Sequence, residues 1–165
     1  MENSWEKAAQ KKIVPPEELE QKLGLCRSAG KSVASLNGSF DLLHAGHLQI
    51  LYEASRQADI LVVALNSDRS IQAYKSLHRP IVPLKYRLEM IAALSFVDLV
   101  TWFDETDPRE ILNKIRPDVH VNGAEYGSNC LEAEVLKKLG ARLHLVARIP
   151  ALATSALIEK IKQCD

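Results

Sequence analysis

The stretch DILVVALN, Asp59–Asn66, is a continuous apolar run rich in β-branched residues, with a polar residue at each end. A strand wetted on one face alternates apolar and polar side chains, whereas a strand covered on both faces does not. The run therefore predicts a strand buried on both sides, as in a parallel sheet between helical layers. Working outward, strands and helices alternate. SVASLN, Ser32–Asn37, reads as a strand, and Ala45–Ala58 follows with Leu48, Leu51, Tyr52 and Ser55 at helical spacing. Leu84, Leu88, Ile91 and Leu94 mark an amphipathic helix, Phe96–Phe103 a third strand and Pro108–Ile115 a short helix. Val119–Asn122 is a fourth strand. A helix through Leu131, Val135, Leu136 and Leu139 stops at Gly140. Ala141–Ala147 is a fifth strand, and Thr154–Gln163 a closing helix carrying Leu157, Ile158 and Ile161. The expected class is α/β, a doubly wound five-stranded parallel sheet with helices on both faces.

In such sheets ligands bind beyond the carboxyl ends of the strands, where strand order reverses. The residues just after each strand are therefore the candidates for chemistry. Tyr74–Pro83 (YKSLHRPIVP) has no periodicity and two prolines, and reads as a loop on that edge. Residues 1–31 read as an extension with one helix, Glu17–Ala29, packed on the same core, and residues 32–165 as the main domain.

Composition narrows the function. Of 165 residues 47% are hydrophobic, and 21 Lys+Arg balance 21 Asp+Glu, so disorder and a basic nucleic-acid-binding surface are both disfavoured. No apolar run approaches the roughly 18 residues that span a bilayer. The start, MENSWEKAAQKKIV, lacks an apolar signal core, so the expected location is cytoplasmic with no membrane partner. Cys26, Cys130 and Cys164 are odd in number and widely spaced, which favours free thiols over a disulfide framework or a zinc cluster.

Two phosphate-binding fingerprints fail. Gly30-Lys31-Ser32 resembles the end of a P-loop, but Leu25 stands where that loop needs glycine, and the tripeptide precedes a strand instead of following one. No G-x-G-x-x-G run is present. The informative stretch is NGSFDLLHAGH, Asn37–His47, which leaves the first strand and enters the first helix. N–H groups at a helix start favour anions. Gly38 permits a tight turn and Gly46 a close approach to the backbone. His44 and His47, three apart, can share one face and aim imidazole donors at the same place. An H-x-x-H pair could also be half of a metal site, but no neighbouring cysteine or spaced carboxylate completes a ligand set. The arrangement suits a polyphosphate.

These residues resemble the signature of the cytidylyltransferase-like nucleotidyltransferases, whose H-x-G-H motif matches His44–His47 and whose sheet is Rossmann-like. The resemblance runs from about Lys12 to Gln163. Within that superfamily the chain looks most like the heptose 1-phosphate adenylyltransferases of lipopolysaccharide core synthesis. Lys12-Ile13-Val14, Asn66-Ser67-Asp68, KSLHRPIVPLKYR (Lys75–Arg87) and RPDVHVNG (Arg116–Gly123) carry that closer match. The family usually has lysine where this chain has Asn122, and G-D-Y at Ala124-Glu125-Tyr126. It has S-T-T at Ala153-Thr154-Ser155. Arg148 is more like the arginine of the glycerol 3-phosphate cytidylyltransferases.

The resemblance implies that a sugar phosphate attacks the α-phosphorus of a nucleoside triphosphate and that pyrophosphate leaves. An anionic phosphate nucleophile needs alignment and charge neutralisation more than a strong base. His44, His47 and Lys75 are then the catalytic set. Gly38, Ser39, Phe40, Gly46, Asn122, Gly123, Arg148, Thr154 and Ser155 would hold nucleotide and phosphate. Asp41, Asp68, Arg79 and Arg87 would serve the acceptor, although Arg79 could equally be structural and Arg87 could form a helix salt bridge. Mg²⁺ would arrive on the triphosphate, held by phosphate oxygens and water. His120 and His144 lie within strands and read as structural, and His78 has no assigned role. The resemblance also suggests a homodimer. Three functions are weighed: transfer of AMP from ATP to a sugar 1-phosphate, giving ADP-heptose; a cytidylyltransferase for a small alcohol phosphate, favoured by Arg148 and Asn122; and a nucleotide-binding module without turnover.

Overall fold

The computed structural model describes residues 5–147, 149 and 152–164. In chain order they form α1 (Trp5–Gln10), α2 (Leu19–Ser28), β1 (Val33–Gly38), α3 (Ala45–Ser55) and β2 (Ile60–Asn66). Next come α4 (Asp68–Tyr74), α5 (Leu84–Ala92), β3 (Leu99–Phe103), α6 (Arg109–Ile115) and β4 (Val119–Gly123). A 3₁₀ turn at Ala124–Tyr126, α7 (Ala133–Leu139), β5 (Arg142–Val146) and α8 (Thr154–Lys162) complete the chain.

The five strands are all parallel, in the order β3-β2-β1-β4-β5. The order runs outward one way through β1, β2 and β3 and reverses at β4, so the crevice at the carboxyl ends of β1 and β4 is the switch point. β2 alternates its side chains between two cores. Leu61, Val63 and Leu65 join Leu36, Leu51, Ile91 and Val121 on one face, while Val62 and Ala64 join Val33, Leu19, Leu23 and Ile115 on the other. This two-sided burial is why Asp59–Asn66 shows no alternation in sequence.

Residues 1–31 contribute more than one helix. Leu19 and Leu23 of α2 are fully buried, as is Ala9 of α1. Between these helices, Val14 donates its N–H to the Val100 carbonyl at 2.8 Å, and Val100 donates to the Lys12 carbonyl at 2.8 Å. This short parallel bridge covers the edge of β3, which would otherwise present unpaired backbone groups.

Three boundaries depart from the sequence expectation. α1 and α4 were not anticipated. α4 has a start signal, for Ser67 caps it by accepting from the Ser70 N–H at 3.1 Å and Asp68 occupies its first turn. Its seven residues are too short to show a period. The third strand begins at Leu99 and not at Phe96, because Val97 closes a turn onto the Leu94 carbonyl and the Asp98 carboxylate accepts the Leu61 N–H at 2.8 Å.

His120 is structural in its placement, 1% exposed, with Nδ1 2.7 Å from the Ser35 hydroxyl. Burial lowers its pKa from 6.5 to about 4. The unfolded chain binds this proton below 6.5 and the folded chain does not until about 4, so stability should fall as pH drops through that window. Urea midpoints at several pH values between 7 and 4.5 check this. His120→Asn, if folded, should remove part of the slope; an unchanged slope would assign it to other groups.

Candidate active site

The carboxyl ends of the strands open into one cavity of about 440 Å³. The histidine motif forms its centre. β1 ends at Gly38 and the chain turns through Phe40, whose φ of 44° is a left-handed value unusual for a bulky side chain. The Phe40 ring then lies 5.2 Å from that of His47, and the His44 and His47 rings stack at 3.8 Å.

His44 is the N-cap of α3, its Nδ1 accepting the His47 backbone N–H at 3.3 Å. A neutral imidazole that accepts at Nδ1 carries its proton at Nε2, so the ring remains a donor. The first N–H groups of α3 add further donors without an intrahelical acceptor. A methyl group at Gly46 would meet the His44 ring at 3.1 Å and Leu152 Cβ at 3.3 Å, so a side chain there would push the imidazole away.

The loop after α4 adds two cations. Lys75 Nζ donates to Ser39 Oγ at 3.1 Å, and burial together with the Arg79 charge lowers its pKa below the usual 10.5. Arg79 Nε donates to Asp41 at 2.6 Å, while its Nη2 is buried with no partner. Two cations held close, one with an unfilled donor, favour an anion between them.

Asp41, expected at the acceptor, lies instead under the loop. It is fully buried, and besides Arg79 it accepts the N–H groups of Ile81 and Val82 at 2.8 and 2.9 Å. Arg87 also differs from expectation. It is fully buried and donates to the Val82, Ser39 and Asn66 carbonyls at 2.9, 2.6 and 2.8 Å and to Asp68 at 2.7 Å. Asp68 in turn accepts the Leu84 N–H at 2.9 Å. Neither Arg87 nor Asp68 lines the cavity. They tie the loop and the start of α5 to the ends of β1 and β2, and their donors and acceptors are occupied by protein.

Gly38, Ser39, Phe40, Gly46, Asn122, Gly123, Thr154 and Ser155 line the cavity together with His44, His47, Lys75 and Arg79. The N-cap of α8 is Ala153, so neither Thr154 nor Ser155 serves as its cap. Arg148 lies outside the described residues. His78 is exposed and His144 half-buried, and neither lines the cavity. Reading the sequence missed Asn37 as a wall residue, Tyr126, and the apolar side formed by Val146, Ala147 and Leu152. Asn37 immediately precedes the recognised motif, which was the one available signal. Glu132 was missed too. It is 7% exposed and faces the amides of Asn37 and Asn122 at 3.5 and 3.4 Å.

Among the described residues no group of three His, Cys, Asp or Glu side chains could hold a metal ion. No helix among them is long and apolar enough to cross a membrane.

Comparison with known proteins agrees with this geometry. Residues 35–161 match the family model described as cytidylyltransferase-like. The chain is 38% identical over 91% of its length to the bifunctional protein HldE of Syntrophotalea carbinolica, and 40% identical over 92% to that of Koribacter versatilis. It spans only 31% and 32% of those two proteins. A solved lipopolysaccharide core biosynthesis protein from Thermoplasma volcanium shares 30% identity with a TM-score of 0.58, covering 73% of this chain and 98% of its own. A Francisella tularensis pantoate-beta-alanine ligase solved with a β,γ-ATP ligand and β-alanine has a TM-score of 0.62 at 14% identity, a likeness of fold, covering 93% of this chain and 79% of its own. A histidine pair at the switch point of a parallel sheet, flanked by loop cations and matched across most of the chain, has one family meaning: the chain belongs to the cytidylyltransferase-like family and is a nucleotidyltransferase.

Proposed function

We propose that the protein transfers AMP from ATP to a sugar 1-phosphate, heptose 1-phosphate in particular, releasing pyrophosphate and ADP-heptose. The observation that carries the reaction class is the convergence of His44, His47, Lys75 and Arg79 on one cavity at the switch point. The relatives named HldE, the core biosynthesis protein and the KSLHRPIVPLKYR loop support the sugar.

The acceptor's phosphate oxygen attacks the α-phosphorus of the triphosphate. A new P–O bond forms, and the bond from the α-phosphorus to the bridging oxygen breaks. Both partners are anionic, so the protein's task is to align them and offset negative charge. His44 and His47 donate toward the transferred phosphoryl group and the departing pyrophosphate. Lys75 neutralises the same region, and an arriving phosphate would raise the pKa that burial and Arg79 depress. Arg79, held at Nε by Asp41, offers its unfilled Nη2 to a phosphate oxygen. Mg²⁺ fits this donor set only through the triphosphate's own oxygens and water, and would supply further charge neutralisation.

A cytidylyltransferase for a small alcohol phosphate is the second reading, favoured by Asn122 where the adenylyltransferases have lysine. Pyrophosphate release by purified protein, with ATP and CTP crossed against heptose 1-phosphate and glycerol 3-phosphate, separates the two. Turnover confined to ATP with heptose 1-phosphate is the expected result. Turnover with CTP and glycerol 3-phosphate would replace it by the second reading, and nucleotide binding without turnover by a binding module.

A further inference from the structure

Asn37 and Asn122 stand side by side because β1 and β4 are neighbours, with Leu36 opposite Val121 just before them. Glu132, just ahead of α7, lies beneath both. Its carboxylate only accepts hydrogen bonds, which settles the orientation of both amides: each must turn Nδ2 toward Glu132. Asn122 Oδ1 then accepts the Gly123 N–H at 2.9 Å, while Asn37 Oδ1 is buried with no partner.

The contacts to Glu132, at 3.4 and 3.5 Å, are at the long limit for a carboxylate that is 7% exposed. No cation among the described residues pairs with it, and the carboxylate and the Asn37 carbonyl are acceptors short of donors. This part of the wall would repel a phosphate and attract hydroxyl groups.

Its position says whose hydroxyls. On one side stand the cavity's cations, Lys75 and Arg79, with His44 and His47 at the centre. On the other, at the ends of β4 and β5, are Val146, Ala147 and Leu152, an apolar surface suited to a planar base. The part of a nucleotide that lies between a base and its phosphates is the ribose. We propose that Asn37, Asn122 and Glu132 form the ribose subsite of the nucleotide and accept hydrogen bonds from its 2′- or 3′-hydroxyl. The inference rests on the nucleotidyltransferase reading for the position of the phosphates, and is independent of which base or acceptor is used.

The test is binding without acceptor. Calorimetric titration of the full chain in Mg²⁺ would compare ATP with 2′-deoxy-ATP and 3′-deoxy-ATP, and CTP with its deoxy analogues. Loss of the recognised hydroxyl should weaken binding roughly tenfold or more, as expected for a hydrogen bond to a charged acceptor. Glu132→Gln, verified as folded by its thermal melt, should weaken the ribonucleotide while leaving the deoxy analogue unchanged, so that the ratio moves toward one. Equal binding of ribo- and deoxynucleotides by the wild-type chain would overturn the proposal, and that comparison decides even if the variant does not fold. A variant that weakens every nucleotide alike would also overturn it. Failure to bind any nucleotide would remove both this subsite and the proposed reaction, whereas ribose selectivity without pyrophosphate release would remove only the reaction.

Discussion

Replacing His47 by alanine is expected to lower the turnover number for pyrophosphate release by about 10²–10³-fold, the usual effect of losing one donor to a charge developing in the transition state. The fold should survive, because what α3 needs from residue 47 is its backbone. The His47 N–H bonds to the His44 carbonyl at 2.9 Å and to the His44 ring at 3.3 Å, and alanine keeps that N–H. The lost contacts are ring contacts, with His44 at 3.8 Å and Phe40 at 5.2 Å. His44→Ala differs, since it removes a cap as well as a donor, and should affect both turnover and melting temperature. Steady-state kinetics with circular dichroism on both variants separate these effects. A folded His47→Ala protein with full activity would take His47 out of the mechanism.

The second large effect belongs to Arg87. Its guanidinium is fully buried and makes four hydrogen bonds, three of them to carbonyls of residues 39, 66 and 82. Arg87→Ala strands those acceptors. The Asp68 side chain is 41% exposed, so solvent screens part of that ion pair, and most of the loss comes from the carbonyls. Breaking a buried, hydrogen-bonded charge of this kind costs about 3–5 kcal/mol. For a domain of this size that corresponds to a fall in melting temperature of roughly 10 °C. Arg87→Lys should rescue little, because one ammonium cannot reproduce the planar fork that reaches all four acceptors. Thermal melts of both variants are the measurement. An unchanged melting temperature with a raised KM for the acceptor alone would return Arg87 to the acceptor site.

Arg87 also shows where reading the chain stops. Its spacing beside Leu84 and Leu88 placed it on a helix, and the pattern Lys75–Arg87 marked the loop as functional. Arg79 and Arg87 are equally basic residues eight positions apart. One reaches the cavity wall and the other lies beneath it. Nothing local distinguishes them, because the carbonyls that capture Arg87 come from the ends of β1 and β2 and from the loop itself. Asp41 was misread in the same way, since its partners, Arg79, Ile81 and Val82, are about forty positions away. Glu132 gave no signal at all, being one carboxylate among many until the pairing of β1 with β4 set two amides over it.

The sequence by itself determined the layers and the centre of chemistry. The unbroken apolar run of β2 requires burial on both faces, alternation with helices makes the sheet parallel, and a parallel sheet puts the residues after its strands on one edge. The histidine motif could be read there because its parts are neighbours in the chain and take their geometry from one strand-to-helix turn. Which charged side chains face the cavity and which hold it together was decided only by the tertiary structure. A charge acquires its role from whatever lies within hydrogen-bond reach, and here those groups come from other strands.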